Sequence, residues 1–344
     1  MPSMEITLIS TFILSILFIK ILIKKSEFLG LQDIPNARSS HKKIMPRGAG
    51  VGFISAVLIS QLVFNFSNFI EYYYIYLSTL AVMLTGLYDD RYTVSSRTKF
   101  LFLIIIATYV TLNGVQISSL GDYFGINVAL PVWLAVPFTV FAIVGFTNAL
   151  NLTDGLDGLA GTLSLVMMVA FLMVGINYND MFLISLSSSF IVALIGFLYF
   201  NWHPAKIFMG DSGSLGLGFV IAVLSIKSLD YIAPSAVLFI IGLPLIDTFT
   251  VMYRRIQQGR SPFSADKNHI HHFMYRVKLN VRISVILLFY IQLIFSLIGY
   301  QLREENQIIS LILFGLLVFV FFNLFDQRLK YREPCKKSKK DKKN

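Results

Sequence analysis

Several acidic side chains stand where a strongly apolar chain can least tolerate them. Asp89 and Asp90 are adjacent, Asp154 and Asp157 lie in NALNLTDGLDGLAG, and Asp211 sits in FMGDSGS between Gly210 and Gly213. Carboxylates beside hydrocarbon need water, a cation or a partner. Asn148, Asn151, Asp154 and Asp157 recur every three residues, so a continuing helix would step them around one broad face. The glycines between them, Gly155, Gly158 and Gly161, remove bulk where backbone must approach a ligand. A further acid, Asp247, lies within an apolar run and is expected to face the interior, with no partner assignable from the sequence.

Oxygen donors in a chain whose one cysteine is Cys335 favour a hard ion. Mg²⁺ takes one or two protein oxygens and completes its shell with phosphates and water, so these acids imply a phosphate substrate. The basic residues supply the complement. His269, His271 and His272 fall within four residues, on a stretch that also carries Arg254, Arg255, Arg260 and Lys267. Zinc is one reading of the histidines, and a lipid-headgroup loop is another. The acidic setting favours a grip on phosphate oxygens. Carboxylates for a metal, cations for anions and a bilayer alongside suit phosphoryl chemistry on a nucleotide and a lipid.

The elements that must position these groups are membrane helices. Hydrophobic residues make up 56% of the 344 and charged residues 14%, which excludes a soluble globule with a charged surface. Apolar runs near 4–23, 49–67, 72–88, 100–115, 129–147, 161–177, 181–200, 213–229, 233–252, 283–300 and 307–325 are each about long enough to cross hydrocarbon. The expected fold is all-α, a polytopic bundle of about 11 transmembrane helices. The first run has no basic segment before it and Lys20, Lys24 and Lys25 after it, so it reads as a retained helix with its N-terminus outside. That places the C-terminus in the cytoplasm, and 26 of the 29 Lys and Arg residues then fall on the cytoplasmic side, as the positive-inside bias requires.

The same bias explains the net charge of +10 without a nucleic-acid partner. Residues 1–327 read as one transmembrane catalytic domain and 328–344 as a basic, disordered tail drawn to anionic membrane lipids. Gly48, Gly50 and Gly52, and Gly213, Gly216 and Gly218, have a spacing that invites a phosphate-loop reading. Close helix packing is the favoured one.

With these residues in view, the chain resembles the polyprenyl-phosphate N-acetylhexosamine-1-phosphate transferases. These are the glycosyltransferase family 4 enzymes that initiate O-antigen, enterobacterial common antigen and teichoic acid linkage, related to the enzyme that makes lipid I of peptidoglycan. The resemblance spans about residues 33–272 through DIPNARSSHKKIMPRGAG, GLYDDRYTVSSRTKF, NALNLTDGLDGLAG, NWHPAKIFMGDSGSLGLGF and SPFSADKNHIHH, in family order. It implies that undecaprenyl phosphate attacks the β-phosphorus of a UDP-N-acetylhexosamine, UDP-GlcNAc being the first choice, and releases UMP at the cytoplasmic face of the bacterial inner membrane. It implies Mg²⁺, with Mn²⁺ as a substitute, held by Asp211 and Asn151.

By the same resemblance Lys99 grips phosphate, Asn201 and Phe208 line a uridine pocket, and Asp157 lies near the nucleoside. His269, His271 and His272 contact the diphosphate, and His41, Lys42, Lys43 and Arg47 form a basic motif at the same mouth. Asp89, Asp90 and Asp154 carry catalysis, as base or as organisers of metal and phosphate. A departure is Ala49, which replaces a glycine: this chain has PRGAG where many relatives have PRGGG or PRLGG.

A phosphate monoester has a second pKa of about 6, so the lipid nucleophile is largely ionised at neutral pH and needs no strong base. One phosphoanhydride replaces another, which makes the reaction near thermoneutral and reversible. A secondary transporter would place its polar residues near the bilayer midplane. An intramembrane prenyltransferase would use aspartates and Mg²⁺ but has no call for the histidine motif. Association with a second copy of the chain is left open by the sequence.

Overall fold

The computed structural model describes residues 2–35, 43–92, 94–261, 269–270, 274 and 279–330, with side chains from 4 to 323. The chain is a helical, polytopic membrane protein, and each of the eleven apolar runs is helical. The helices are α1 (Pro2–Lys25), α2 (Ala49–Phe64), the short α3 (Phe66–Glu71), α4 (Tyr73–Tyr92), α5 (Ser96–Leu112), α6 (Val132–Thr153), α7 (Leu159–Tyr178) and α8 (Met181–Asn201). They continue as α9 (Gly210–Ser228), α10 (Pro234–Ile240), α11 (Gly242–Gln257), α12 (Val281–Gln301) and α13 (Gln307–Lys330). In hydrocarbon each backbone N–H and C=O must be satisfied within the segment, which is why uninterrupted apolar sequence becomes helix here.

Among the described residues six helices are long and apolar enough to cross a membrane: Met4–Lys25, α6, α7, α8, α9 and Val281–Glu304. A seventh follows if α10 and α11 are one span, but they meet at 86°. This corrects the expectation of one continuous helix over 233–252. The break falls at Ile241, and Gln292 of α12 repairs it. Its Nε2 donates to the Ile240 carbonyl at 2.7 Å, and its Oε1 accepts from the Leu243 N–H at 3.2 Å. Both groups would otherwise be orphaned in an apolar interior.

Two small antiparallel sheets also depart from an all-α reading. β1 (Gln32–Asp33) pairs with β2 (Met45–Pro46), Gln32 opposite Pro46. β3 (Ser119–Tyr123) and β4 (Ile126–Ala129) form a hairpin between α5 and α6, where Gly121 and Gly125 supply positive φ.

The bundle is built around α9, which packs on α2, α4, α6 and α7 and is buried along almost its whole length. α1 packs on α2 and α8, α5 on α4 and α6, and α12 on α7 and α10. The tail beyond Lys330 lies outside the described residues, as do His41, Lys42, Lys267, His271, His272 and Cys335.

The packing reading of the glycines holds. A Cβ on Gly50 would lie 2.0 Å from the Gly213 nitrogen, and one on Gly86 would lie 2.3 Å from the Asp211 carbonyl oxygen. α2 and α4 therefore touch the start of α9 backbone to backbone, a distance that only small residues permit. Ala49 does not loosen this junction. Its N–H donates to the Phe208 carbonyl at 3.1 Å, with Gly50 N–H on Met209 O at 3.0 Å.

Candidate active site

The end of α4, the start of α5 and the start of α9 converge with the residue-47 loop. α4 and α5 each bring charge that their own helix disfavours. Asp89 and Asp90 are in the last turn of α4, where the helix dipole is negative, and Lys99 is in the first turn of α5, where it is positive. Local propensity is thus overruled by pairing between elements.

Lys99 Nζ lies 2.8 Å from Asp89 Oδ2 and 2.8 Å from Asp211 Oδ2, bridging the two carboxylates. Arg47 does the same on the other side, with Nε 2.8 Å from Asp90 Oδ1 and Nη2 3.4 Å from Asp211 Oδ1. Asp211 is therefore flanked by two cations while part of its side chain remains open.

The two neighbours Asp89 and Asp90 have different environments. Asp90 has no exposed side-chain surface and accepts from the Asp211 N–H at 2.7 Å, the Ser212 N–H at 3.0 Å and the Ser212 hydroxyl at 2.7 Å, besides Arg47. It caps the N-terminus of α9 from another helix, satisfying donors that the first turn leaves orphaned. Asp89 accepts from the Val94 N–H and from Lys99. Asp90 holds α9 in place, and Asp89 holds the phosphate-gripping lysine of the resemblance.

Gly210, at φ 75°, makes the turn into α9, and a Cβ there would sit 2.5 Å from Asp90 Oδ2. Asn151 Nδ2 donates to Ser214 Oγ at 2.8 Å, which leaves Oδ1 as the amide atom not engaged by that serine. The three-residue stepping expected from Asn148 to Asp157 stops short. α6 ends at Thr153, so Asp154 is its C-cap and Asp157 lies in the following loop. Asp154 keeps an open side, yet the protein packed around it pushes its carboxyl up to about 7. The negative field of Asp211 adds to that rise and Arg47 opposes it. Asp154 is ready to exchange a proton or meet a cation near neutral pH.

Asp157 organises the loop before α9 by accepting from Ala205 N–H at 3.2 Å and pairing with His203 Nδ1 at 2.7 Å. Asn201, expected at the uridine, is buried, with its amide tied to backbone: Oδ1 accepts from Gly158 N–H at 2.9 Å and Nδ2 donates to Ile207 O at 2.8 Å. It ties Gly158 to Ile207, the residue before half-buried Phe208, whose N–H donates to Pro46 O at 2.9 Å. Lys43 is exposed.

Asp247 has partners after all. Oδ2 lies 2.9 Å from His269 Nδ1, and Oδ1 accepts from the Ile270 N–H at 2.9 Å. The residues that sequence reasoning passed over are Ser212, Ser214 and His203. Two serines in the first turns of a helix opened by an aspartate were a readable sign of an N-terminal donor site.

Among the described residues there is no group of three His, Cys, Asp or Glu side chains spaced for a metal. Oxygens from Asp211 and Asn151 suit a hard ion that brings its own phosphates and water.

The profile of "Glycosyl transferase family 4" matches residues 72–229, the stretch from α4 to α9 that carries Asp89, Lys99, Asn151, Asp154 and Asp211. The chain is 35% identical over 320 residues to the "probable undecaprenyl-phosphate N-acetylglucosaminyl 1-phosphate transferase" of Bacillus subtilis (strain 168), covering 90% of this chain and 88% of that one. It is 30% identical over 313 residues to the "undecaprenyl-phosphate alpha-N-acetylglucosaminyl 1-phosphate transferase" of Yersinia pestis, covering 86% and 84%. The protein of the same description in Escherichia coli (strain K12) is 29% identical over 331 residues, covering 92% and 88%. Identity carried along nearly the full length, through the helices that build the charged corner, places this chain in glycosyl transferase family 4, among the polyprenyl-phosphate hexosamine-1-phosphate transferases.

Proposed function

We propose that this chain transfers N-acetylglucosamine-1-phosphate to undecaprenyl phosphate, the transfer that the names of its relatives give for them, and that the donor is UDP-N-acetylglucosamine and UMP the leaving product. The observation that carries the reading is the Lys99 ammonium held between Asp89 and Asp211 beside Arg47. Two fixed cations among carboxylates, at helix ends rather than at mid-span, fit a site that handles a diphosphate beside a bilayer.

In the reaction an oxygen of the lipid phosphate forms a bond to the β-phosphorus, and the bond from that phosphorus to the bridging oxygen breaks. The electron pair leaves with UMP. Lys99 and Arg47 face the oxygens on which negative charge gathers. Asp89 keeps Lys99 aimed, Asp90 keeps Arg47 and the α9 terminus aimed, and Asp154 takes up a residual proton from the lipid phosphate when one is present. Asp211 and Asn151 would hold Mg²⁺, or Mn²⁺ in its place, which when bound screens the diphosphate charge.

The reading extends to the whole molecule. Eleven crossings with the N-terminus outside and the C-terminus in the cytoplasm put this corner at the inner face of the bacterial cytoplasmic membrane, where a cytosolic nucleotide-sugar meets a membrane lipid. Residues 1–327 act as one catalytic domain, the basic tail attracts anionic lipid, and the product begins a cell-surface glycan of O-antigen or similar type.

The test is direct. Purified protein with undecaprenyl phosphate, UDP-N-acetylglucosamine and Mg²⁺ should release UMP, and chelation followed by metal add-back should stop and restore it. Release of UDP would mark an ordinary glycosyltransferase and end the proposal. Transport of a solute with no UMP formed would favour the transporter reading.

A further inference from the structure

Asn151 and Ser214 meet on a contact between α6 and α9 whose register is regular. Deep in the bundle the two backbones almost touch, since a Cβ on Gly218 would lie 2.9 Å from the Thr147 Cα. One turn onward along α6, and one turn back along α9, Asn151 Nδ2 donates to Ser214 Oγ at 2.8 Å. Another turn brings Asp154 and Asp211, close enough for the charge of one to act on the other. The helices run antiparallel, so the bond between amide and hydroxyl is the rung directly beneath those carboxyls.

Ser214 fixes the direction of that rung. It is buried, with 1% exposed, and its one hydroxyl hydrogen goes to the Gly210 carbonyl at 3.0 Å, one turn back along α9. Toward Asn151 it has only lone pairs to offer. The amide must therefore present Nδ2 to the serine, and its oxygen takes the other side. Asn151 is half-buried, and among the described residues no bond to Oδ1 competes for that orientation. An asparagine amide is nearly symmetric in shape, yet only its oxygen can bind a hard cation. Resting on the transferase reading, in which Asp211 and Asn151 hold the divalent ion, we infer that Ser214 is a positioning residue: it sets which atom of the Asn151 amide faces that ion. Its bond to Gly210 also ties the amide to the turn that carries Asp211, so one hydroxyl links the two oxygen ligands.

The experiment uses full-length enzyme in detergent and compares wild type, Ser214→Ala, Asn151→Ala and the double variant. Mn²⁺ binding is titrated by loss of the free-ion EPR signal, with UDP-N-acetylglucosamine present and no lipid acceptor, so that nothing turns over. UMP release with both substrates is measured separately over a range of Mg²⁺ concentrations. In Ser214→Ala the amide loses the partner that orients it. Mn²⁺ affinity should fall roughly tenfold to 100-fold, the scale seen when a group behind a metal ligand is removed. The apparent KM for Mg²⁺ should rise in step, while kcat at saturating Mg²⁺ stays within about threefold of wild type. The double variant should bind no more weakly than Asn151→Ala alone, since residues that act as a unit are not additive.

Mn²⁺ affinity in Ser214→Ala within about twofold of wild type, or losses that multiply in the double variant, would overturn the inference. A fall in kcat that saturating Mg²⁺ does not restore would mean that Ser214 only supports the fold, and would overturn it as well. If Ser214→Ala does not fold, Ser214→Cys keeps nearly the same shape with a thiol that is a weak donor and acceptor. It should weaken Mn²⁺ binding at least about threefold, and unchanged affinity would be decisive against. Wild type that binds no Mn²⁺ would overturn the inference together with the metal assignment. Wild type that binds Mn²⁺ but releases no UMP would instead refute the transferase reading. The titration needs no turnover, so the two failures are distinguishable.

Discussion

α2 is polar at both of its ends, and the two ends are built by opposite rules. Its start, at Gly50, lies against the Asp211 turn, among Arg47, Lys99, Asp89 and Asp90. Its far end carries Gln61, fully buried, which donates through Nε2 to Ser185 Oγ and Ser189 Oγ, each at 2.8 Å, while Asn65 Nδ2 donates to Gln61 Oε1 at 2.9 Å and to Ser185 Oγ at 2.8 Å. The far end is neutral and its amides and hydroxyls answer one another, the way membrane helices are joined by polar side chains. The near end holds three charges at helix termini that disfavour them, Asp89, Asp90 and Lys99, and is partly open to the outside. Intramembrane polarity marks a working site only when its charges are not all consumed by the fold.

The largest effect should come from breaking the charged end. Asp211→Ala is expected to lower UMP release by on the order of 10³-fold with a thermal midpoint near wild type, the scale found when a preorganised electrostatic group is removed. If release persists within about tenfold of wild type, the corner is not the reacting centre.

Next comes the junction that sets its spacing. Gly50→Ala pushes a methyl group into the Gly213 backbone, which cannot swing aside, and should destabilise by about 2 kcal/mol or more. Gly145→Ala on α6, where an added Cβ meets nothing within 4 Å, is the matched control and should be neutral or slightly stabilising. Equal thermal shifts for the two would show that close approach at α9 is not what Gly50 provides.

The neutral end offers a smaller, purely structural effect. Gln61→Leu strips partners from Ser185, Ser189 and Asn65 and should cost about 1–3 kcal/mol in unfolding while turnover per folded molecule is unchanged. A loss of turnover approaching that of Asp211→Ala would erase the distinction between the ends.

The smallest effect is a gain. The Asp154 carboxyl, at about 7 when folded, lies above its unfolded value near 4, so the folded protein keeps a proton that the unfolded chain gives up. Its contribution to stability is present below pH about 4 and lost as the pH rises to about 7. Asp154→Asn escapes that loss. Its thermal midpoint should exceed that of wild type at pH about 8, and the difference should close towards pH about 4. A constant difference across this range would show that burial does not lift this carboxyl.

Much of this was legible in the amino-acid order because the bilayer is a strict solvent. Eleven apolar runs correspond to helices, and the acids and bases that seemed out of place at their ends are those that meet. What could not be read was pairing at a distance. Asp89 and Asp90 look alike in sequence, yet one caps a helix that begins about 120 residues later, and nothing local distinguishes them. Asp247 seemed solitary because its partner is 22 residues away across a loop. The break at Ile241 left a trace in Gly242 and Pro244, but the group that makes it affordable, Gln292, belongs to another helix. The regular spacing of Asn148 to Asp157 misled because periodicity does not announce where a helix stops.

The clamp at that break has a consequence for how the molecule is made. Ile240 leaves the ribosome 52 residues ahead of Gln292, so the bend exists for a time without the side chain that completes its hydrogen bonds. Until α12 arrives, the exposed carbonyl and N–H must be kept out of lipid by water, by the insertion machinery or by a temporarily straight helix. The corner in α11 that bears Asp247 therefore takes its final direction only after α12 has been inserted. The insertion of this bend thus depends on one buried glutamine.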